Sequence, residues 1–415
     1  MVGERRCTTK PRLRLRRSPA RRSVWALIAI CLAAAGCASS GSSGGSSGSS
    51  TGTINIALHL PITGGGFDYG SAGPQAADWY WEWLQAHGEK IDGDNVHLTY
   101  VDDQFNPSTA TQVCTQLTQN NLLIIGYQGT PVITPCAAVA SKAGIPYFSR
   151  GLDPSLATTN STYFAISPTY QYEAPMVADW MKAHQNGKGT KVAFFGYNIA
   201  SINYTVDKFD TQAQADGLTV VPAARVSLTA TTAEVQAAAL KLKSEGVGSV
   251  YMDLASTVVY PALTAWKSAG FTPNIVDYAD SSQIATICSS IGSTAANPPI
   301  YAPSPWPGAE WAAKADPNFA KAVAQYSGKP PTDIEAQFWG IMQMVATLLT
   351  KAGPNNLTPS KLLASLQHMS NVTTPLMGPV TYTPGNHIDA TKEYMAQANC
   401  ANNTLPTITP ITFNA

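Results

Sequence analysis

A Thr-Pro pair in the first half of the sequence has the residue types expected of an anion-binding site. Thr130 and Pro131 follow the apolar run Leu122–Gly126 and the loop Tyr127–Gly129. The run predicts a buried strand, and Thr-Pro predicts a helix start. Ligands of α/β proteins lie beyond the carboxyl ends of strands, where a helix N-terminus attracts an anion through its free N–H groups and its dipole. The structural alternative is that Thr130 only caps the helix.

The sequence lacks the common motifs of hydrolytic and nucleotide-dependent catalysis. No Gly-x-Ser-x-Gly elbow lies between a predicted strand and helix, and no His-Glu-x-x-His or phosphate-binding loop is present. The six histidines are scattered, and the pair Asp102-Asp103 fits a turn before a helix. We therefore predict a protein that is not an enzyme and that needs no metal ion or cofactor, although carboxylates from distant positions can also assemble into a catalytic pair.

The N-terminus has the pattern of an export signal. Eight arginines and Lys10 lie within residues 1–22, and the apolar run Val24–Ala35 follows. A basic segment before about 12 apolar residues is typical of a secretory signal, whereas a membrane-spanning helix needs about 20. The residues before Cys37 resemble a bacterial lipobox, which predicts removal of residues 1–36 and lipidation of Cys37. The alternative is an ordinary secretory signal with an incidental cysteine.

The charge of the exported part argues against nucleic acid as a partner. The 415-residue chain has 26 basic and 26 acidic residues, but residues 1–36 hold nine of the bases and one of the acids. The rest therefore carries 17 bases and 25 acids, a net charge of −8, whereas nucleic-acid-binding proteins present a basic surface. Residues 37–52, almost entirely Ser and Gly, predict a flexible linker. We expect a domain outside the cytoplasm, anchored to the outer face of the cytoplasmic membrane by lipidated Cys37.

Four cysteines remain after the leader and Cys37 are set aside, namely Cys114, Cys136, Cys288 and Cys400. An even number in an exported chain predicts two disulfides, and three pairings are possible. The short separation of Cys114 and Cys136 favours that pair, which leaves Cys288 with Cys400. A zinc site is the alternative, but no Cys-x-x-Cys or paired-histidine spacing supports it.

Strands and helices alternate twice along the chain. The first set of predicted strands is Ile54–Leu60, Val96–Val101, Leu122–Gly126 and Tyr147–Ser149. The pattern restarts after Pro168, with predicted strands at Lys191–Tyr197, Leu218–Ala223, Ser249–Leu254 and Asn274–Tyr278. Buried apolar strands separated by helices are typical of parallel sheets. Two consecutive α/β sets predict two lobes of similar build.

Seven segments stand in an order that points to one family: Leu60–Gly64, Phe67–Gly70, Tyr100–Gln104, Gly126–Pro131, Ala143–Pro146, Trp266–Phe271 and Leu376–Tyr382. Together with the leader, they resemble the type I periplasmic solute-binding proteins. The branch is the leucine/isoleucine/valine-binding proteins that serve ABC importers. The resemblance covers about residues 53–400.

This resemblance implies an α/β fold with two doubly wound parallel-sheet lobes joined by a three-strand hinge. The first lobe would comprise residues 53–169 and 299–375, and the second lobe residues 170–298 and 376–415. A first-lobe disulfide of the family matches Cys114 and Cys136. A C-terminal segment that returns to the second lobe would bring Cys400 to Cys288.

The resemblance also implies which residues contact the polar groups of a ligand. The Thr130 hydroxyl matches one that holds an α-carboxylate, and Gly151 matches a residue that offers its backbone. Asp153 stands where the family has a threonine; its carboxylate would attract an amine unless Arg150 neutralises it, or it caps a helix before Pro154. Asp280 matches an acid that pairs with the ligand ammonium, with helix capping as the alternative.

Aromatic residues of the family line the side-chain pocket, and Tyr69 matches one of them. The family's Tyr-Gly pair is missing near residues 201–204, so Ser201 or Tyr204 would take its place. Trp306 and Trp311 lie near a crossover, where packing in the core or hinge is the expected role and lining of the cleft is the alternative.

The sequence thus predicts a receptor that captures a small polar solute, an amino acid or amide-like compound, between two closing lobes. The predicted partners are this ligand, the transmembrane subunits of an ABC permease and the membrane reached through the lipid anchor, with the receptor itself a monomer. Two alternatives are a ligand-sensing domain that signals to a membrane partner and an amidase-type hydrolase on the same fold.

Overall fold

Alternating strands and helices make up residues 53–165. The computed structural model describes residues 52–63, 72–91, 93–127, 129–150, 154–277, 287–288, 292, 299–353 and 357–412. Its first elements are β1 (Thr53–Leu60), α1 (Ala72–Ala86), β2 (Asn95–Asp102), α2 (Pro107–Leu117), β3 (Leu123–Gly126), α3 (Thr130–Ala143), β4 (Tyr147–Ser149), α4 (Pro154–Thr159) and β5 (Tyr163–Ala165).

The same alternation continues through residues 170–304. The elements are α5 (Tyr170–Ala183), β6 (Lys191–Tyr197), α6 (Ala200–Ala215), β7 (Thr219–Val220), β8 (Ala224–Val226), α7 (Thr232–Ser244), β9 (Ser249–Asp253), α8 (Ser256–Ser268), β10 (Asn274–Asp277) and β11 (Ile300–Ser304).

The C-terminal part contributes a run of helices and then a run of strands. The helices are α9 (Ala309–Ala315), α10 (Pro317–Ser327), α11 (Asp333–Ala352) and α12 (Pro359–Leu366), and the strands are β12 (Val380–Thr383), β13 (Asn386–Ala390), β14 (Lys392–Gln397) and β15 (Thr407–Thr412). No helix within the described ranges is both long and apolar enough to cross a bilayer.

The two main sheets repeat one strand order. The first is wholly parallel, in the order β2-β1-β3-β4-β5. The second contains the parallel series β7-β6-β9-β10-β11, and β14 and β15 extend it as antiparallel strands. Each parallel series is a doubly wound sheet whose order reverses next to its first strand, and ligands bind beyond the carboxyl ends of strands at this point. The predicted fold class is confirmed.

Most predicted elements are present with shifted ends, and two differences have physical reasons. The predicted strand Leu218–Ala223 is shortened to β7, and β8 begins only after its predicted end; Pro222, which has no N–H for the ladder, separates the two. Strands β14 and β15 were not predicted, since their short segments carry little apolar alternation and Pro410 lies within β15.

Three chain crossings connect the two sheets. They run from β5 to α5, from β11 to α9 and from β13 to β14. Strand β11 pairs with β10 in the second sheet, while the β12–β13 hairpin contacts the first sheet, where the Tyr382 hydroxyl donates to the Ala165 carbonyl at 2.6 Å. The lobe bounds at 299 and 375 stay a prediction, and strand pairing places residues 300–304 with the second sheet.

Aromatic side chains hold the C-terminal helices against the first sheet's helices. Tyr80 of α1 meets Trp339 of α11 edge-on, with ring centroids 5.0 Å apart, and the Trp81 Nε1–H donates to Met342 Sδ at 3.4 Å. Gly73 allows this approach, because a Cβ there would lie 2.4 Å from the Phe338 ring. The burial of these large rings stabilises the α1–α11 interface.

Both favoured disulfides are present. Cys114 of α2 is bonded to Cys136 of α3 with Cα atoms 5.5 Å apart, and Cys288 to Cys400 with Cα atoms 5.0 Å apart. The first bond ties together two helices of the first sheet. The second ties the segment between β14 and β15 to a residue that follows β10.

Candidate ligand-binding cleft

The two sheets meet at a pair of helix N-termini. Thr130 begins α3, directly beyond the carboxyl end of β3, and Ser201 is the second residue of α6, beyond the carboxyl end of β6. Their hydroxyl oxygens are 3.0 Å apart although 71 residues separate them, and both side chains are buried. The structure therefore brings together two of the predicted site residues, one from each sheet.

Thr130 is not the N-cap of its helix. Gly129 holds that position with φ 84°, and no side chain caps the helix by a hydrogen bond. The Thr130 hydroxyl instead points across to Ser201. The capping alternative is thus excluded for Thr130, and the assignment of Thr130 to ligand binding stays a prediction.

Gly129 is required by close packing as well as by its backbone. A Cβ there would lie 2.2 Å from the Phe105 ring, and the positive φ disfavours any side chain. The Gly129 carbonyl accepts from the N–H groups of Val132 and Ile133. This arrangement fixes the start of α3 against the loop that follows β2.

A hydrogen-bonded network lies beneath the loops of the first sheet. His59 Nδ1 is 2.8 Å from Asp103 Oδ2, and His59 Nε2 is 2.6 Å from the Tyr147 hydroxyl. Asp103 Oδ1 also accepts from the Phe105 N–H at 2.9 Å. All three polar side chains are buried. The network connects the ends of β1, β2 and β4 and holds the loop that supports Gly129.

Asp102 organises the neighbouring turn. Its Oδ1 accepts from the backbone N–H groups of Ile62, Thr63 and Gln104 at 2.9 to 3.1 Å. Partial burial acts to raise the pKa of Asp102, but hydrogen bonds from Thr63 and these backbone groups outweigh it and hold the pKa below its usual range. Asp102 and Asp103 therefore stabilise the turn before α2, as the sequence predicts.

Tyr204 lies one turn along α6 from Ser201. It is half-buried, and the Lys208 ammonium lies 5.5 Å from its ring centroid. Ser201 is thus the one of these two alternatives that contacts Thr130. The remaining predicted site residues lie outside the described residues; they are Tyr69, Gly151, Asp153, Asp280 and the lipidation site Cys37.

An aromatic stack stands beside the cleft at a crossing between the sheets. Tyr127, next to the carboxyl end of β3, stacks on Phe338 with centroids 4.6 Å apart and faces Trp306 at 6.2 Å. The Arg150 guanidinium lies 4.9 Å from the Trp306 ring centroid. Trp306 is buried in this stack, whereas Trp311 is 37% exposed and meets Tyr394 edge-on.

Sequence reasoning missed a group of buried acids at the carboxyl edge of the second sheet. Glu173 is in the first turn of α5, Asp253 ends β9 and Glu393 is the second residue of β14. Each is at most 9% exposed. We call these three residues the carboxyl cluster. No spacing in the sequence indicates it, because 220 positions separate Glu173 from Glu393.

Burial sets the protonation of the carboxyl cluster. It raises the pKa of Glu393 to about 8 and that of Asp253 to about 6, and burial and the charge of Glu393 raise the pKa of Glu173 well above its usual range. The Tyr251 hydroxyl donates to Glu173 Oε1 at 2.5 Å. The Arg150 guanidinium opposes all three increases but does not cancel them.

Comparisons with known proteins agree with the resemblance in the sequence. The model of a family described as periplasmic binding protein matches residues 53–404. No curated protein matches the sequence at a significant level.

Solved structures share the fold at low sequence identity. A fatty acid ABC transporter substrate-binding protein from Thermomonospora curvata is 16% identical with a TM-score of 0.71, over 87% of this chain and 92% of that one. A solute-binding protein of an ABC transporter from Rhodopseudomonas palustris BisB5, in complex with 3,4-dihydroxy benzoic acid, is 17% identical with a TM-score of 0.67, over 88% and 98%. The branched-chain amino acid transporter substrate-binding protein from Streptococcus pneumoniae, in complex with isoleucine, is 17% identical with a TM-score of 0.66, over 86% and 99%.

Proposed function

Because this chain belongs to the periplasmic binding protein family, a family of solute-binding proteins, we propose that it is the lipid-anchored, extracytoplasmic solute-binding protein of an ABC importer. It captures a small polar solute, an amino acid or an amide-like compound, between two closing lobes. The observation that carries this proposal is the contact of Thr130 and Ser201 across the carboxyl edges of the two sheets.

The chemistry of this contact supports a solute with an anionic group. The N-termini of α3 and α6 come together at Thr130 and Ser201, and each contributes a positive dipole end and a hydroxyl group. Isoleucine and 3,4-dihydroxy benzoic acid, the ligands of two structures with this fold, both carry a carboxyl group. A carboxylate would replace the direct hydroxyl contact and bridge the two helices. Asp280 would pair with the ammonium group if the solute is an amino acid.

Ligand bridging explains how binding would close the lobes. A solute held by Thr130 alone contacts one sheet, and closure adds Ser201 from the other. The closed state is favoured only by the additional free energy of these second contacts. The three crossings between the sheets provide the hinge for this motion.

The leader and linker support a location at the membrane surface. Lipidated Cys37 would anchor the protein, and residues 38–52 would let the domain reach the transmembrane subunits of its permease as a monomer. Flexible Ser/Gly linkers span a root-mean-square distance of about 20 Å at this length.

A thermal-shift screen of residues 53–415, unfolded and refolded to remove carried-over ligand, tests the binding step. L-Leucine, L-glutamine and benzoate are first probes, and a bound solute raises the melting temperature by mass action. A hit that remains chemically unchanged supports a binding protein, and turnover of the hit would indicate a hydrolase instead.

Uptake of the identified solute by cells tests the transport step. Deletion of the gene is expected to abolish high-affinity uptake, and expression of the full chain to restore it. A Cys37→Ser chain, which cannot be lipidated, is the matched control for anchoring. Unchanged uptake in the deletion strain would contradict the importer role and favour a sensor.

A further inference from the structure

The carboxyl cluster lies where the chain crosses between the sheets. Glu173 comes three residues after the start of α5, the element that follows the first crossing. Glu393 comes three residues after the end of β13, at the third crossing. Asp253 ends β9 at the same edge of the second sheet. All three carboxyls therefore belong to elements of the second sheet and lie beside the hinge.

The side chain that faces this cluster comes from the other sheet. Arg150 follows β4 of the first sheet, is 2% exposed, and interacts electrostatically with Glu173, Asp253 and Glu393. Its guanidinium also lies over Trp306 of the second crossing. One cation from the first sheet thus faces three carboxyls of the second, with the aromatic stack beside it.

Opening the cleft would change the surroundings of these acids in two opposing ways. Withdrawal of Arg150 removes a cation that favours the charged carboxylates, and entry of water removes the burial that favours the neutral carboxyls. Burial is the larger effect at each of the three carboxyls. Hydration therefore dominates, and the acids release protons when the lobes separate.

We propose that Arg150 and the carboxyl cluster form a proton-linked clasp, so that closure of the two lobes takes up protons and is favoured by acidic solution. This inference rests on the proposed function, because closure of the lobes is the step by which a receptor retains its solute. It adds that the receptor holds its solute more tightly at acidic than at neutral pH.

The neighbouring charged and titratable groups are consistent with uptake of protons on closure. Besides Arg150, the cluster faces Tyr170 of α5 and Tyr251 of β9, whose hydroxyls form hydrogen bonds with Asp253 and Glu173, and Arg225 of β8, which lowers the pKa of Asp253. Asp277 ends the adjacent strand β10 and is also buried. The cluster therefore holds more acids than cations, and it needs protons to stay neutral when water is excluded.

The linkage gives the size of the effect. Below a pH of about 8, the closed state holds a proton on Glu393 that a hydrated carboxyl would release above its ordinary pKa. One such proton changes the ratio of closed to open molecules by up to about tenfold per pH unit. A second proton on Asp253 would steepen this dependence below about pH 6.

Pulsed electron paramagnetic resonance without any solute tests the clasp directly. Spin labels on Lys142→Cys of α3 and Gln214→Cys of α6, both exposed positions, report the distance between the two sheets. In the otherwise wild-type chain, the population with the short, closed distance is expected to grow several-fold between pH 8.5 and pH 5.5. A distance distribution that does not change over this range overturns the proposal.

Glutamine variants separate the clasp from general effects of pH. Glu393→Gln mimics the neutral carboxyl, so it should hold the closed population near its acidic level and flatten the pH dependence; Glu173→Gln is a second variant of the same kind. Glu310→Gln, whose native carboxylate is 80% exposed, should keep the wild-type dependence. An undiminished pH response in both cluster variants would overturn the proposal. Because no ligand is used, failure here leaves the binding and uptake tests of the proposed function unaffected.

Discussion

The carboxyl edges of the two sheets differ in how their buried polar side chains are compensated. At the first edge, His59, Asp103 and Tyr147 form a chain of short hydrogen bonds, and Asp102 accepts three backbone N–H groups. At the second edge, Glu173, Asp253 and Glu393 are buried among more acidic groups than cations. Hydrogen-bonded pairs make the first edge rigid. The second edge should respond to pH, because its buried acids need protons to be neutral.

The largest effect is expected from crowding the first edge. In Gly126→Ala, the new Cβ would lie 1.8 Å from the Tyr147 hydroxyl and 2.8 Å from His59 Nε2. The network must move, which should lower the free energy of unfolding by about 3 kcal/mol. Urea denaturation measures it, and Gly385→Ala, where a Cβ meets no atom within 4 Å, is the control. Equal stability of the two variants would show that the network tolerates displacement.

Removing one hydroxyl from the first edge should have a smaller effect. Tyr147→Phe leaves His59 Nε2 buried without its present partner, and such a loss costs about 1–3 kcal/mol of unfolding free energy. Tyr260→Phe, on a side chain that is 47% exposed, should change stability by less than about 0.5 kcal/mol. If Tyr147→Phe changes the free energy of unfolding as little as Tyr260→Phe, the hydrogen-bonded network does not stabilise the first edge.

At the second edge, a substitution is expected to raise the free energy of unfolding rather than lower it. A carboxyl with a raised pKa in the folded state holds its proton there and loses it on unfolding, so its contribution to stability is complete at low pH and is lost as pH rises through the folded pKa. The unfolding free energy should therefore fall between pH 5 and pH 8, with the contribution of Asp253 lost by about pH 6 and that of Glu393 by about pH 8. At pH 8, Glu393→Gln should be about 1–2 kcal/mol more stable than the wild type. Denaturation at several pH values would refute this if the variant is destabilised throughout.

The smallest change in stability is expected where the edges meet. Thr130→Val and Ser201→Ala each remove one hydroxyl of a single hydrogen bond and should cost less than about 1 kcal/mol of unfolding free energy. Affinity for the solute found in the thermal-shift screen should fall about tenfold in each, because that solute loses a donor. Isothermal titration calorimetry measures this. Unchanged affinity in both variants would remove these hydroxyls from the site.

The two edges also differ in how much of their structure could be predicted from the sequence. Apolar runs predicted most of the parallel strands of both sheets, since buried parallel strands are continuous apolar segments such as Leu123–Gly126. The Thr-Pro pair located the N-terminus of α3, but not its N-cap, because only the structure shows that Gly129 has a positive φ and packs against the Phe105 ring. Ser201 was assigned to the site only through the family resemblance.

The sequence by itself determined the alternation of strands and helices, the basic segment and apolar run at the N-terminus, the net charge of −8 on residues 37–415 and the number of cysteines that follow residue 37. These follow from local periodicity, composition and counting, which need no knowledge of contacts between distant residues. Tertiary structure alone decided that Thr130 would meet Ser201 and that Arg150 would face three acids from α5, β9 and β14. Burial and charge act through space, and only the crossings between the sheets bring residues 150, 173, 253 and 393 together.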